Sequence, residues 1–191
     1  MGSALSEFAA EAHCHLRLLQ SIQQSLPPSI IVGDSTQLIY SGNMIYNTAA
    51  PNQWFNSSVG FGTLGYALPA AIGASIANST APVVCLIGDG GLQFVLGELG
   101  TLKDSNAAIA IIVWCNNGYR EIKTSMENAD ITTVGVDLIV PDFAMVANAY
   151  GIASTHANSP TELSTALETY RKNGESIMIV VDEQNMLNST E

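Results

Sequence analysis

Two apolar runs dominate the chain, and each stops abruptly at polar, glycine-flanked residues. The first covers residues 83–87 and ends in Gly88-Asp89-Gly90; the second ends in Cys115-Asn116-Asn117-Gly118-Tyr119. Both are rich in β-branched residues without polar alternation, the pattern of strands buried on both faces. Between them Leu92, Val95, Leu96, Leu99 and Leu102 recur at helical spacing, which predicts one helix over 91–103. Strand, helix and strand form a βαβ unit. Its strands should run parallel, as neighbours or near neighbours, with a right-handed crossover.

Upstream, Leu16, Leu19, Ile22 and Leu26 share one face of a helix predicted over 5–25, which Pro27-Pro28 stops. A strand over 29–32 follows, and Asp34 reads as the cap of the next helix. Residues 47–58 are polar and loop-like, and a helix is expected over 64–77. Beyond Tyr119 the pattern gives a short helix over 120–126, a loop over 127–140 and a helix over 142–150. A brief strand over 152–155, a helix over 160–172 and a closing strand over 176–181 complete it. No repeat or low-complexity segment interrupts. The alternation predicts an α/β fold with three layers, α/β/α, around a mainly parallel central sheet. The 191 residues fit one domain, with 1–14 as a tag or a loosely ordered start.

In parallel sheets ligands bind beyond the carboxyl ends of the strands. Asp89 and Asn116 stand at two such ends. Mg²⁺ takes about six oxygens, typically one or two carboxylates with phosphate oxygens and water. One carboxylate, one side-chain amide and a nearby backbone carbonyl suit that need. Gly88, Gly90 and Gly91 let the backbone approach a phosphate, and a helix starting near Gly91 would point N–H groups at it. Each motif by itself is also an ordinary Asp-Gly or Asn-Gly turn. The pair, at two strand ends, is what points to an Mg²⁺–diphosphate site.

This spacing of Gly-Asp-Gly and an Asn-Asn loop resembles the thiamine-diphosphate binding motif. The resemblance is to the superfamily of acetolactate synthase, pyruvate decarboxylase and benzoylformate decarboxylase. It covers about residues 15–184, is strongest at 60–74, 88–98 and 114–122, and corresponds to the family's diphosphate-binding domain. It implies Asp89, Asn116 and the Gly118 carbonyl as protein ligands to Mg²⁺, with Cys115 where relatives carry the first Asn. Were Asn117 the ligand instead, the loop would be one residue longer than the family's. The resemblance further implies diphosphate contacts from Ser35, Thr36 and Gln37, and cofactor contacts from Gly88, Gly90, Gly91 and Tyr119. The Gly62 carbonyl would accept from the cofactor's amino group, and Leu64 would wedge between its two rings. From position alone Leu64 is an ordinary core leucine opening a helix. Ile122 and Met126 are substrate-pocket candidates, while Lys123 reads as solvent-facing.

What the resemblance implies about activity is a decarboxylase or an acetolactate-synthase-like carboligase acting on a small 2-oxo acid. A Glu that activates the cofactor would come from a separate pyrimidine-binding domain or subunit. Glu98, Glu121 and Glu127 do not match its motif, so the chain by itself is expected to be inactive and to carry no catalytic residue. It reads as one domain of a longer enzyme, for which the start Met1-Gly2-Ser3 near the domain boundary speaks, or as half of a split enzyme. A non-catalytic assembly subunit is the alternative. A dinucleotide-binding protein is another, because Gly60-Phe61-Gly62-Thr63-Leu64-Gly65 satisfies G-x-G-x-x-G. That motif needs a strand before it and an acidic residue about 20 positions on. Residues 47–58 read as loop, and the next acidic residue is Asp89.

Composition narrows the classes. Only 12% of residues are charged against 47% hydrophobic, which implies surface covered by a partner, and homo-oligomers fit the resemblance. A formal charge of −11, from six basic and seventeen acidic residues, argues against nucleic acid. A divalent cation would supply the positive charge that a diphosphate needs. No run approaches the ~20 apolar residues of a membrane span, and no signal peptide is evident. Cys14, Cys85 and Cys115 lack paired spacing and read as reduced thiols of a cytoplasmic protein. His13 and His15 fall on different helix faces, which disfavours a metal pair. His156 reads as a surface histidine on a loop.

Overall fold

In the computed structural model, residues 2–189 are described, with side chains from residue 10 onward. Helix α1 (Gly2–Ser25) leads into β1 (Ile30–Gly33), α2 (Gln37–Ile45), β2 (Trp54–Asn56), α3 (Ala67–Ala77) and β3 (Val83–Gly88). Then come α4 (Asp89–Gln93), α5 (Glu98–Ser105), β4 (Ile109–Cys115), α6 (Arg120–Asn128) and α7 (Phe143–Ala149). The chain closes with β5 (Ala153–Ala157), α8 (Pro160–Asn173), β6 (Ile177–Asp182) and α9 (Glu183–Asn188). The expected tag-like start lies partly outside the described residues, at Met1 and the side chains of 2–9. Ala12 and Cys14 of α1 are buried.

The six strands form one sheet in the order β2-β1-β3-β4-β6-β5, every pairing parallel. Strand alternation divides the core into two layers. Val84 and Leu86 of β3 face Leu19 and Ile22 of α1, Leu38 of α2 and Leu167 of α8. Val83, Cys85 and Ile87 face Leu68 of α3, Leu99 of α5 and Phe143 of α7. The result is the expected α/β/α sandwich. The three cysteines are free and buried, and no helix of the described residues is long and apolar enough to cross a membrane.

Four expectations need correction. Residues 47–58 contain β2, whose three residues pair with the free edge of β1. The helix expected over 64–77 starts at Ala67, which leaves Leu64 on the preceding turn. The single helix expected over 91–103 is two, broken at residues 94–97, where hydrogen bonds such as Val95 N–H to Leu92 O span three residues. The break lies where Gly65 packs: a Cβ there would come within 2.8 Å of Val95 Cγ1. His156 is exposed but lies on β5, not on a loop.

Candidate functional site

Chain order reverses around β1: the path leads to β2 on one side and to β3 on the other. The helices that follow these strands cover opposite faces of the sheet, so a crevice opens at the strands' carboxyl ends. A cleft of about 240 Å³ lies there. Residues 35–37 after β1, 88–91 after β3 and 116, 118 and 119 after β4 line it, together with Gly62 and Leu64 from the turn before α3. Every residue expected to contact the cofactor is among them. Ile122 also lines the cleft; Met126 does not. Lys123 pairs outward with Asp137 at 2.8 Å. A roomier recess of about 610 Å³ around Ser75, Thr80 and Arg171 has no carboxylate in its lining.

Asp89 is 1% exposed. Its Oδ1 accepts from the Gly90 N–H at 2.7 Å, and its Oδ2 from the N–H groups of Asn117 at 2.7 Å and Asn116 at 3.2 Å. This carboxylate therefore joins the β3 and β4 ends. Burial pushes its pKa up, against the backbone N–H groups that favour the charged form. A carboxylate offers about four lone-pair positions, so these three bonds leave room for a cation. Asn117 supports the turn with a left-handed backbone, φ 62°. Gly118 is required because a Cβ would collide with the Val136 carbonyl, which accepts from the Tyr119 N–H at 2.8 Å. The loop after α6 thus folds back on the Asn117–Tyr119 turn, bridging Asp137 to Gly118.

Asp34 does not cap α2. The N-cap is Thr36, and it makes no side-chain cap bond. Asp34 is fully buried and instead holds the turn that carries Gly62 and Leu64: Oδ2 accepts from the Gly65 N–H at 2.7 Å, Oδ1 from the Ser35 N–H at 2.9 Å and the Ser57 hydroxyl at 3.3 Å. Gly65 has φ +81°, which a side chain would strain. Burial raises the pKa of this carboxyl too. The signal for Asp34 was present in the sequence, because Gly33-Asp34 repeats Gly88-Asp89 at another strand end. Tyr40, Arg120 and Glu121 also line the cleft and were not anticipated. Gln37 reaches across to Glu121 at 3.1 Å. Helix α4 has only five residues and its Gly90 N–H is already engaged by Asp89, so it offers a diphosphate little of the expected helix N-terminus.

Residues 32–181 match the family model described as thiamine pyrophosphate enzyme, C-terminal TPP binding domain. The chain belongs to this family. Among curated TPP-enzyme relatives, a probable 2-ketoarginine decarboxylase, AruI, of Pseudomonas aeruginosa is 37% identical over 155 residues, 80% of this chain and 28% of that protein. The acetolactate synthase isozyme 2 large subunit of Escherichia coli K12 is 30% identical over 159 residues, again 80% and 28%. The benzoylformate decarboxylase of Polynucleobacter necessarius superposes with a TM-score of 0.76 at 25% identity, over 86% of this chain and 32% of that one. The chain thus spans under a third of the length of these relatives. The cleft of this TPP-binding domain lies at the carboxyl ends of β1, β3 and β4. The dinucleotide reading falls with this assignment, although β2 does supply the strand that the Gly60–Gly65 motif had lacked.

Proposed function

We propose that the chain is the diphosphate- and Mg²⁺-binding domain of a thiamine-diphosphate-dependent enzyme acting on a 2-oxo acid, a decarboxylase or a carboligase. The observation that carries this reading is the convergence of Asp89, Asn116 and Gly118, from the ends of adjacent strands, on one cleft with Gly88–Gly91. A carboxylate, an amide oxygen and a carbonyl suit a hard divalent cation. When bound, thiamine diphosphate supplies the electron sink for cleaving the bond next to a 2-oxo group. The chain's own part is placement. Asp89, Asn116 and the Gly118 carbonyl hold the cation that neutralises the diphosphate; Ser35, Thr36 and Gln37 offer donors from the opposite wall. Leu64 braces the cofactor from the turn that Asp34 fixes, and Ile122 borders the space left for substrate.

Residues 1–191 act as one such domain, and the chain by itself is inactive because a pyrimidine-binding domain or subunit must bring the activating Glu. Exposed apolar side chains near the cleft support a covering partner: Phe61 is 100% exposed, Val59 71% and Phe94 64%. A homo-oligomer of the complete enzyme, in the cytoplasm, fits the same surface. The test is calorimetric titration with thiamine diphosphate, first with Mg²⁺ and then with EDTA. Heat that EDTA abolishes is expected. Binding that ignores Mg²⁺, or heat from NADH instead, would overturn the proposal.

A further inference from the structure

Behind Asn116 lies a part-buried ionic cluster. Strand β6 pairs with β4 so that Asp182 stands opposite Cys115, which sets Glu183 beside Asn116. Glu183 is 5% exposed and its Oε1 accepts from Arg120. The Arg120 guanidinium also grips Glu11 at both carboxylate oxygens, at 2.9 and 3.0 Å. His15, fully buried, bonds the Ser41 hydroxyl through Nδ1 at 2.8 Å, and its Nε2 lies 3.9 Å from Glu11. Glu11, His15 and Glu183 have the composition of a metal site. The cation there is already present, however, because the guanidinium bonds both carboxylates.

Two buried atoms of the cluster have no hydrogen-bond partner of normal geometry: His15 Nε2, which still faces Glu11 at 3.9 Å, and Glu183 Oε2. Burial pushes the Glu183 pKa up, while the Arg120 guanidinium, and after it the nearby Asn116 amide and Trp114 indole, favour the charged form. A buried carboxylate oxygen without a donor is costly. Asn116 and Arg120 are also the only described residues that line both the cleft and the neighbouring recess of about 340 Å³ where Glu183 lies. They form the wall between the two.

We propose that Glu183 is a positioning residue for the cation site, its carboxylate drawing the Asn116 NH₂ group outward so that the amide oxygen is presented to the cleft beside Asp89 and Gly118. This rests on the Mg²⁺–diphosphate reading above. The logic is polarity: an ionised carboxylate only accepts, so it rejects the flipped amide that would turn NH₂ toward a cation. A cation on Asn116 Oδ1 would in turn make the NH₂ a stronger donor to Oε2. Arg120 ties this arrangement to α6, and Glu11 ties Arg120 to α1.

The test uses three variants of the chain, with thermal melting of each as the check on folding. Glu183→Gln removes the polarity rule while keeping the shape, and its Mg²⁺-dependent affinity for thiamine diphosphate is expected to fall about tenfold. Glu183→Asp keeps the charge and should bind more tightly than Glu183→Gln. Glu11→Gln disturbs the same ion pairs without touching Asn116; it should melt lower yet bind as the parent does. Equal affinity in Glu183→Gln and the parent, or equal weakening in Glu11→Gln, would overturn the proposal. A second readout is the ¹H–¹⁵N resonance of the Asn116 side chain in the metal-free protein, expected to move in Glu183→Gln and to stay in Glu11→Gln. An unmoved resonance overturns the proposal whatever the binding. A parent chain that gives no Mg²⁺-dependent heat would overturn the diphosphate reading instead, and the resonance would still decide on Glu183.

Discussion

Substituting Gly91 by Ala tests how the two glycine-rich segments are held together. An ideal Cβ at Gly91 lies 2.5 Å from Asp34 Oδ2, 3.3 Å from its Cγ and 3.4 Å from Ile87 Cγ1. Ordinary contacts need about 3.5 Å, so the carboxylate oxygen must retreat by roughly 1 Å. It cannot do so freely, because Oδ2 holds the Gly65 N–H and Oδ1 holds Ser35 and Ser57. Overpacking costs about 1–3 kcal/mol and loss of a hydrogen bond to a charged group about 1.5–3. Replacing a helical Gly by Ala returns about 0.5–1 kcal/mol. The net expectation is a loss of about 1.5–5.5 kcal/mol. Gly73, in α3, is the control: nothing lies within 4 Å of its Cβ position, so Gly73→Ala should stabilise by about 0.5–1 kcal/mol. Urea unfolding of the two variants measures the difference. Gly91→Ala within about 1 kcal/mol of the parent would refute the clamp, since the structure leaves Asp34 no cheaper place to go. Thiamine diphosphate affinity should fall in Gly91→Ala, because the displaced turn carries Gly62 and Leu64, and hold in Gly73→Ala.

Two further predictions concern charge. Asp89→Asn keeps the side chain's size but turns one of its two accepting oxygens into an NH₂ that faces a backbone N–H, so Mg²⁺-dependent diphosphate binding should disappear and the folded chain should melt lower; unchanged affinity by calorimetry would remove Asp89 from the cation site. His15 is pulled down to about 4 by burial, with Glu11 opposing and Arg120 assisting. The unfolded chain takes up a proton near its ordinary 6.5 and the folded chain only near 4. Stability from this group is therefore complete above 6.5 and lost as pH falls through that window, about 2 kcal/mol of it by pH 5. The buried carboxyls Asp34, Asp89 and Glu183, whose pKa values are raised, act with the opposite sign and cancel when the parent is compared with His15→Gln at each pH. A difference between the two that stays flat from pH 8 to pH 5 would rule out a neutral buried His15.

Local signals were enough wherever a segment met its neighbours as its own pattern demands. Val83–Gly88 and Ile109–Cys115 are apolar on both faces because both faces are covered, so they could only be central strands. Helix α8 carries its own punctuation, Ser159 capping Glu162 N–H and Gly174 in a left-handed C-cap, and its predicted ends differ by one residue. The strand-end residues Asp89 and Asn116 were legible for the same reason: the strands that end there were.

What the tertiary structure alone decided are the features whose cause lies far along the chain. Trp54–Asn56 has no strand pattern and becomes β2 because β1 offers it an open edge, with Ser57 N–H bonding Gly33 O at 3.2 Å. The leucines of 91–103 keep helical spacing, yet the helix breaks where Gly65, about thirty residues earlier, presses on Phe94 and Val95. Asp34 looks like a cap from its neighbours and is a clamp because its true partners are 23 and 31 positions away. Glu183 is unremarkable in sequence and meets Arg120, 63 positions distant, only through the pairing of β6 with β4. Periodicity reports burial of a segment against its own sheet. It carries no information about which distant backbone or side chain completes a hydrogen bond, because that partner is chosen by chain topology.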